Sequence, residues 1–282
     1  MLLYKMKAVL FYCLLLFSVN VVAQELFPLT EPASNMATKS IGIRLNNEFM
    51  PTATNSHNLT YSGSSNMFRT GIEAMVGLSK KWMAHALVFS SNMHQQNFKF
   101  EGGGFYLKYR LYSIDNVQSH FRIALYAKGA LVNNAIHSNE INLGGDNSGI
   151  TTGVIFTQLL HKTAISASFG YIKGISNIRP NVLNDSASNV LNYSLSFGQL
   201  VLPLKYINYN QPNFNLYCEF LGKLNTSTNQ SYLDIAPALQ CIINSVFRVD
   251  VVYKYQLFGN LSRLNTNTIS LRLEYNFFNA YK

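Results

Sequence analysis

Residues 269–277 read Ile-Ser-Leu-Arg-Leu-Glu-Tyr-Asn-Phe. Apolar and polar side chains alternate along this stretch, the period-two signature of a strand whose two faces meet different surroundings. Ile269, Leu271, Leu273, Tyr275 and Phe277 point one way; Ser270, Arg272, Glu274 and Asn276 point the other. The block before it repeats the pattern, with Phe247, Val249, Val251, Tyr253, Tyr255 and Leu257 set against Arg248, Asp250, Lys254 and Gln256. Further stripes run through Ile41–Leu45, Phe68–Leu78, Phe105–Leu111, Phe121–Leu125, Leu191–Phe197 and Phe214–Phe220. None of the apolar stripes carries a charge. The charges lie on the opposite faces: Arg44, Glu48, Arg69, Glu73, Lys108, Arg110, Arg122, Lys128, Glu219, Lys223, Asp234, Arg248, Asp250, Lys254, Arg272 and Glu274.

Composition agrees with an all-β chain facing two solvents. Of 282 residues, 48% are apolar and only 12% charged, while aromatics reach 13%. Asn occurs 32 times, so neutral amides carry much of the polarity. A disordered chain would be charge-rich and aromatic-poor. A helical membrane protein would show runs of 18 or more apolar residues beyond the N-terminus, and none exists.

Alternation alone fits either a sandwich, whose apolar face packs on a second sheet, or a barrel in lipid. Strand number and length separate the two. The blocks span 39–49, 68–78, 81–91, 103–113, 120–131, 150–160, 163–173, 190–201, 213–224, 231–243, 246–257 and 266–278. They exceed the common globular strand of about five or six residues and match the roughly 9–11 needed to cross a bilayer at a tilt. Connections after odd-numbered strands hold 6–18 residues and those after even-numbered strands 2–11. Tight turns, such as Ser79-Lys80, His161-Lys162 and Asn244-Ser245, therefore gather at one end. Long segments such as 133–149 and 174–189, rich in Asn, Ser and Gly, gather at the other as exposed loops. The reading is an all-β fold, a closed antiparallel transmembrane β-barrel of twelve strands over 39–278, with a 279–282 tail.

The N-terminus reads as an export signal. Lys5 and Lys7 flank an apolar stretch from Ala8 to Val22, and Val21-Val22-Ala23 suits a signal peptidase. Removing 1–23 lowers the net charge from +9 to +7 by the loss of those two lysines. Residues 24–38, with Pro28 and Pro32 among apolar side chains, are expected to form a small periplasmic plug, the alternative being a loose leader. Cys218 and Cys241 are expected as buried thiols about one diagonal step apart on neighbouring strands, too far for a disulfide.

The Leu271-x-Leu273-x-Tyr275-x-Phe277 stripe resembles the C-terminal assembly signal of Gram-negative outer-membrane barrels, although five residues follow Phe277 here. Residues 29–36, Leu-Thr-Glu-Pro-Ala-Ser-Asn-Met, resemble the N-terminal segment of uncharacterised outer-membrane barrels from Bacteroidota. The resemblance implies a bacterial outer-membrane location, with outer-membrane lipids and the barrel assembly machinery as partners.

Function reads less sharply. Among the inward charges, ten bases face six acids, a modest positive excess that favours a small polar or anionic solute. The leading expectation is a narrow channel or binding protein for such a solute; the rivals are a structural or interaction barrel with a closed lumen and, behind it, an outer-membrane hydrolase. For hydrolysis, His85, His94, His120 and His137 are available, with Ser90, Ser91 and Asn92 near His94, but no spacing identifies a triad. No catalytic residue and no cofactor is assigned. Met50, His57, Met67, Met93 and His94 would suit a soft metal ion, yet packing accounts for the methionines more simply, so no metal is assigned either. Gly102-Gly103-Gly104 lacks the strand-turn-helix context of a phosphate loop and reads as a strand opening. No basic cluster points to nucleic acid.

Overall fold

The computed structural model describes residues 27–51, 66–93, 97–134, 138–178, 189–204 and 211–281. Twelve strands follow one another: β1 (Ile41–Pro51), β2 (Asn66–Gly77), β3 (Trp82–Ser91), β4 (Lys99–Asp115), β5 (Ser119–Val132), β6 (Ser148–Leu160), β7 (Thr163–Ile175), β8 (Asn189–Leu202), β9 (Asn213–Asn225), β10 (Ser231–Ile243), β11 (Phe247–Gly259) and β12 (Asn267–Phe277). Each pairs antiparallel with its neighbours in sequence, and β1 pairs with β12, so the sheet closes without an edge. Closure matters in a bilayer, where every backbone amide needs an internal partner.

Burial follows the alternation with its usual sense inverted. Ile43, Ile72, Phe105, Leu125, Phe169, Leu216, Val251 and Leu271 are exposed on the outside, whereas Arg44, Glu73, Lys108, Glu219, Asp250 and Glu274 are buried inside. Among the described residues no second sheet covers the apolar faces, and the single sheet closes on itself, which excludes the sandwich. An outer surface this apolar calls for a hydrocarbon environment. Aromatic pairs band both ends: Phe68 with Phe98 at the long-loop end, and Trp82 with Tyr109, Tyr112 with Phe121 and Tyr275 with Phe277 at the tight-turn end.

Local chemistry sets the turns. Asn244 and Ser245 both take positive φ (52° and 57°), the backbone of a tight hairpin whose twist matches that of the strands. β4 starts at Lys99 and not at 103, because the three glycines continue the strand instead of opening it. A Cβ on Gly102 would lie 2.1 Å from the Leu131 carbonyl oxygen, so only glycine admits the close approach of β5.

Two expectations are corrected here. The β9–β10 turn pairs Leu224 with Ser231, and this register sets Cys218 against Pro237 and Cys241 against Phe214. The cysteines therefore stand four residues apart along the strands, roughly 13 Å at the usual rise. Both are free and half-exposed on the outward face instead of buried. The segment 133–149 is not simply an exposed loop: Ile141 and Leu143 are buried against Ala130, Ile172 and Val190, which draws residues 138–147 into the barrel.

Candidate functional site

The lumen is built from the inward row of each strand. Arg44 on β1 faces Glu73 on β2 and Glu274 on β12, and Glu274 faces Arg248 on β11. The side chains meet at 2.8, 2.9 and 3.2 Å, giving a row of alternating charge across four strands. Arg248 and Arg272 both reach Asp250, at 3.1 and 3.2 Å. Directly opposed charges stabilise neighbouring strands, and this row lies on the β1–β12 seam that closes the barrel.

Residues 27–36 cross the inside of the barrel. Phe27 is fully buried among Ala164, Tyr217, Ala236, Ala238 and Val252, where three alanines leave room for its ring. Glu219 on β9 accepts hydrogen bonds from the Leu29 and Thr30 amides at 2.8 and 2.9 Å and from the Thr30 hydroxyl at 2.6 Å. Lys108 donates to the Pro32 carbonyl at 2.9 Å, Arg122 to the Ser34 hydroxyl at 2.8 Å, and Arg272 to the Pro28 carbonyl. Thr157 accepts from the Ala33 amide at 2.8 Å, and Arg44 donates to Glu31 at 3.0 Å. Buried carbonyls and amides with no strand of their own are satisfied here by wall side chains.

The inward loop closes the other side. Asp146 pairs with Arg69 on β2, which also holds Glu101 at 3.0 Å. Glu140 pairs with Lys223 on β9 at 3.2 Å, accepts from the Tyr232 hydroxyl at 2.6 Å, and meets Arg263 at 2.9 Å. Arg263 comes from the β11–β12 connection, pairs with Asp234 at 2.7 Å and lies 3.7 Å over the Tyr232 ring. Although burial alone would raise it, Arg263, Lys223 and Lys254 hold the Glu140 carboxyl well below the usual carboxylate range.

Between the inner segment and this loop lie two adjoining cavities of about 370 and 320 Å³. Leu29, Glu31, Glu48, Arg69, Tyr106, Lys128 and Asn142 line both. Lys128 and Lys254 form no hydrogen bond or ion pair among the described residues, and the buried Tyr106 hydroxyl forms no hydrogen bond there. Arg110 is half-buried near Arg122, outside the cavities.

Sequence reasoning missed five interior charges. Glu101 lies in β4 ahead of the expected start, Glu31 sits in the inner segment, and Glu140, Asp146 and Arg263 belong to loops. Four acids thus join the expected six and one base joins the ten, so the excess of four bases shrinks to one among the described residues. Ile141 and Leu143, apolar residues inside an Asn-rich loop, were the available signal.

The other candidates find structural uses. His85 Nδ1 lies 2.5 Å from Glu73 Oε1, and His120 Nδ1 lies 2.8 Å from Asp115 at the tight-turn end. Ser91 donates to Glu101, and the Asn92 side-chain oxygen accepts from the Phe68 amide at 2.7 Å. Met50, Met67 and Met93 pack together inside the barrel. His57, His94 and His137 lie outside the described residues. Ligand atoms of Glu31, Glu73 and His85 lie within 4.8 Å of one another, but Arg44 already pairs with both acids.

Against solved structures, the chain is similar to the COG4313 outer membrane channel from Pseudomonas putida F1, with a TM-score of 0.56 and 11% identity over 90% of this chain and 100% of that one. The barrel resembles outer-membrane channels. Weaker likenesses include the KdgM porin, at a TM-score of 0.44, 10% identity and coverage of 84% and 99%, and Pseudomonas aeruginosa OprD, at 0.39, 11% identity and coverage of 83% and 66%. No protein-family model matches the sequence, and no curated protein matches it.

Proposed function

We propose that this protein is a narrow outer-membrane channel that admits a small polar solute, with a preference for anions, and that residues 27–36 act as its plug. The observation that carries this reading is the pair of adjoining cavities inside a closed barrel, with Glu48, Arg69 and Lys128 in the lining of both, bounded by the inner segment on one side and the inward loop on the other. Their volumes fall at the small end of ligand pockets. Lys128 and Lys254, in no direct hydrogen bond or ion pair among the described residues, support the anion preference even though the interior as a whole is nearly neutral. The signal read at 1–23 and the Bacteroidota-type likeness of 29–36 support export to a bacterial outer membrane, with the tight turns in the periplasm.

A second reading, a structural or interaction barrel with a permanently closed lumen, is favoured by the plug's contacts with many strands. Planar-bilayer recording separates the two. Stepwise conductance with an anion-selective reversal potential supports the channel. Silence of both the unaltered protein and a plug-weakened Glu219→Ala variant supports the closed barrel and overturns the channel.

A further inference from the structure

The Glu140 carboxylate belongs to a loop, yet it sits in a cradle supplied by the barrel side: Lys223 at 3.2 Å, the Tyr232 hydroxyl at 2.6 Å and Arg263 at 2.9 Å. The cradle does not depend on Glu140 for its shape. Arg263 is held by both oxygens of Asp234 at 2.7 and 2.9 Å, and its guanidinium is stacked on Tyr232. Planar, bidentate pairing of this kind fixes an arginine whatever else approaches it. Lys254 lines the same cavity and has no acid of its own among the described residues. A carboxylate that left the cradle would therefore expose Lys223 and Lys254 toward a cavity of about 370 Å³.

Taking the channel reading as given, we infer that the Lys223–Tyr232–Arg263 cradle, with Lys254 beside it, is the binding site for the carboxylate group of a small organic acid, and that Glu140 occupies it as an internal competitor. An incoming carboxylate exchanges with Glu140 ion pair for ion pair. The loop then retains Asp146 on Arg69, the packing of Ile141 and Leu143, the Lys223 bond to the Ile141 carbonyl at 2.7 Å and the Asn139 amide bond to the Ser262 carbonyl at 3.2 Å, but loses the three Glu140 contacts that tie it to β9, β10 and the β11–β12 connection. Solute binding and loosening of the loop at Glu140 are the same event, which makes the inward loop a gate read by the solute's charge.

Calorimetric titration of the full chain in detergent with glutarate tests this, with the uncharged diamide of the same length as control. Glu140→Gln is expected to bind glutarate at least tenfold more tightly than the unaltered protein, and adding Lys254→Gln is expected to reverse most of that gain. Equal or weaker binding by Glu140→Gln overturns the inference, as does equal binding of the diamide. If the variant does not fold, the unaltered protein decides: saturating glutarate must speed amide exchange across residues 138–147, and unchanged or slower exchange overturns the inference. Conductance measured on the same preparations keeps the two readings apart. Conductance without glutarate binding removes the carboxylate site and leaves the channel, whereas binding without conductance removes the channel and leaves the site.

Discussion

Replacing Glu219 by alanine removes the acceptor that holds Leu29 and Thr30 across the lumen. Three hydrogen bonds are lost, at 2.8, 2.9 and 2.6 Å, and Ser196 loses its 3.2 Å bond to the same carboxylate. A buried donor left without its partner costs about 1–3 kcal/mol, and the lower end applies here because Leu29 and Thr30 border a cavity that water can enter. Three such losses come to about 3 kcal/mol, or roughly a 150-fold rise in the fraction of molecules with the segment released. The assay is amide hydrogen exchange on residues 27–36 of the protein in lipid, with strand amides as internal reference. The expected result is an increase of roughly two orders of magnitude at Leu29 and Thr30, strand protection unchanged, and a smaller effect for Glu219→Gln, which keeps one acceptor oxygen. An increase of less than about threefold would refute the claim that Glu219 pins the segment.

Phe27→Ala should cost about 3–5 kcal/mol of segment docking by emptying the pocket between Tyr217 and the three alanines; amide exchange over residues 29–36 should accelerate while strand protection stays unchanged. Leu271→Arg, on the outward face of β12, should destabilise the barrel by about 2–4 kcal/mol, near the midplane value for a lipid-facing base; a urea titration of the unboiled gel band reads this. Because the folded-state value of Glu140 is depressed, its contribution to loop docking is fully present above the ordinary carboxylate range and is lost only as pH falls through the lowered folded value. Exchange protection over residues 138–147 should therefore hold from pH 8 to pH 5 and fail only on stronger acidification; failure near pH 6 would contradict the pairing.

The barrel was legible because lipid and lumen impose opposite chemistry on successive side chains. The apolar stripe Ile269–Phe277 needs no tertiary information to be seen, and β10 runs over Ser231–Ile243 as its alternation indicates. β4 was read short because glycine usually punctuates strands, whereas here it lets β5 come close. Loop content was harder to read: Glu140, Asp146 and Arg263 carry no periodicity, and their inward course depends on partners on β2, β9 and β10 that no local pattern reveals. The net charge of the interior was misjudged for the same reason, since a count along the strands omits the acids that the inner segment and the loop bring in.

The central claim is that the outward faces touch hydrocarbon, and the chain's single tryptophan is placed to test it. Trp82 begins β3 at the tight-turn end, exposed on the outer face beside Tyr109, where an interfacial aromatic belt belongs. In vesicles containing lipids brominated at shallow or deep acyl positions, Trp82 fluorescence should be quenched strongly by the shallow label and less by the deep one. Fluorescence that ignores both labels and yields only to a quencher dissolved in water would contradict the account.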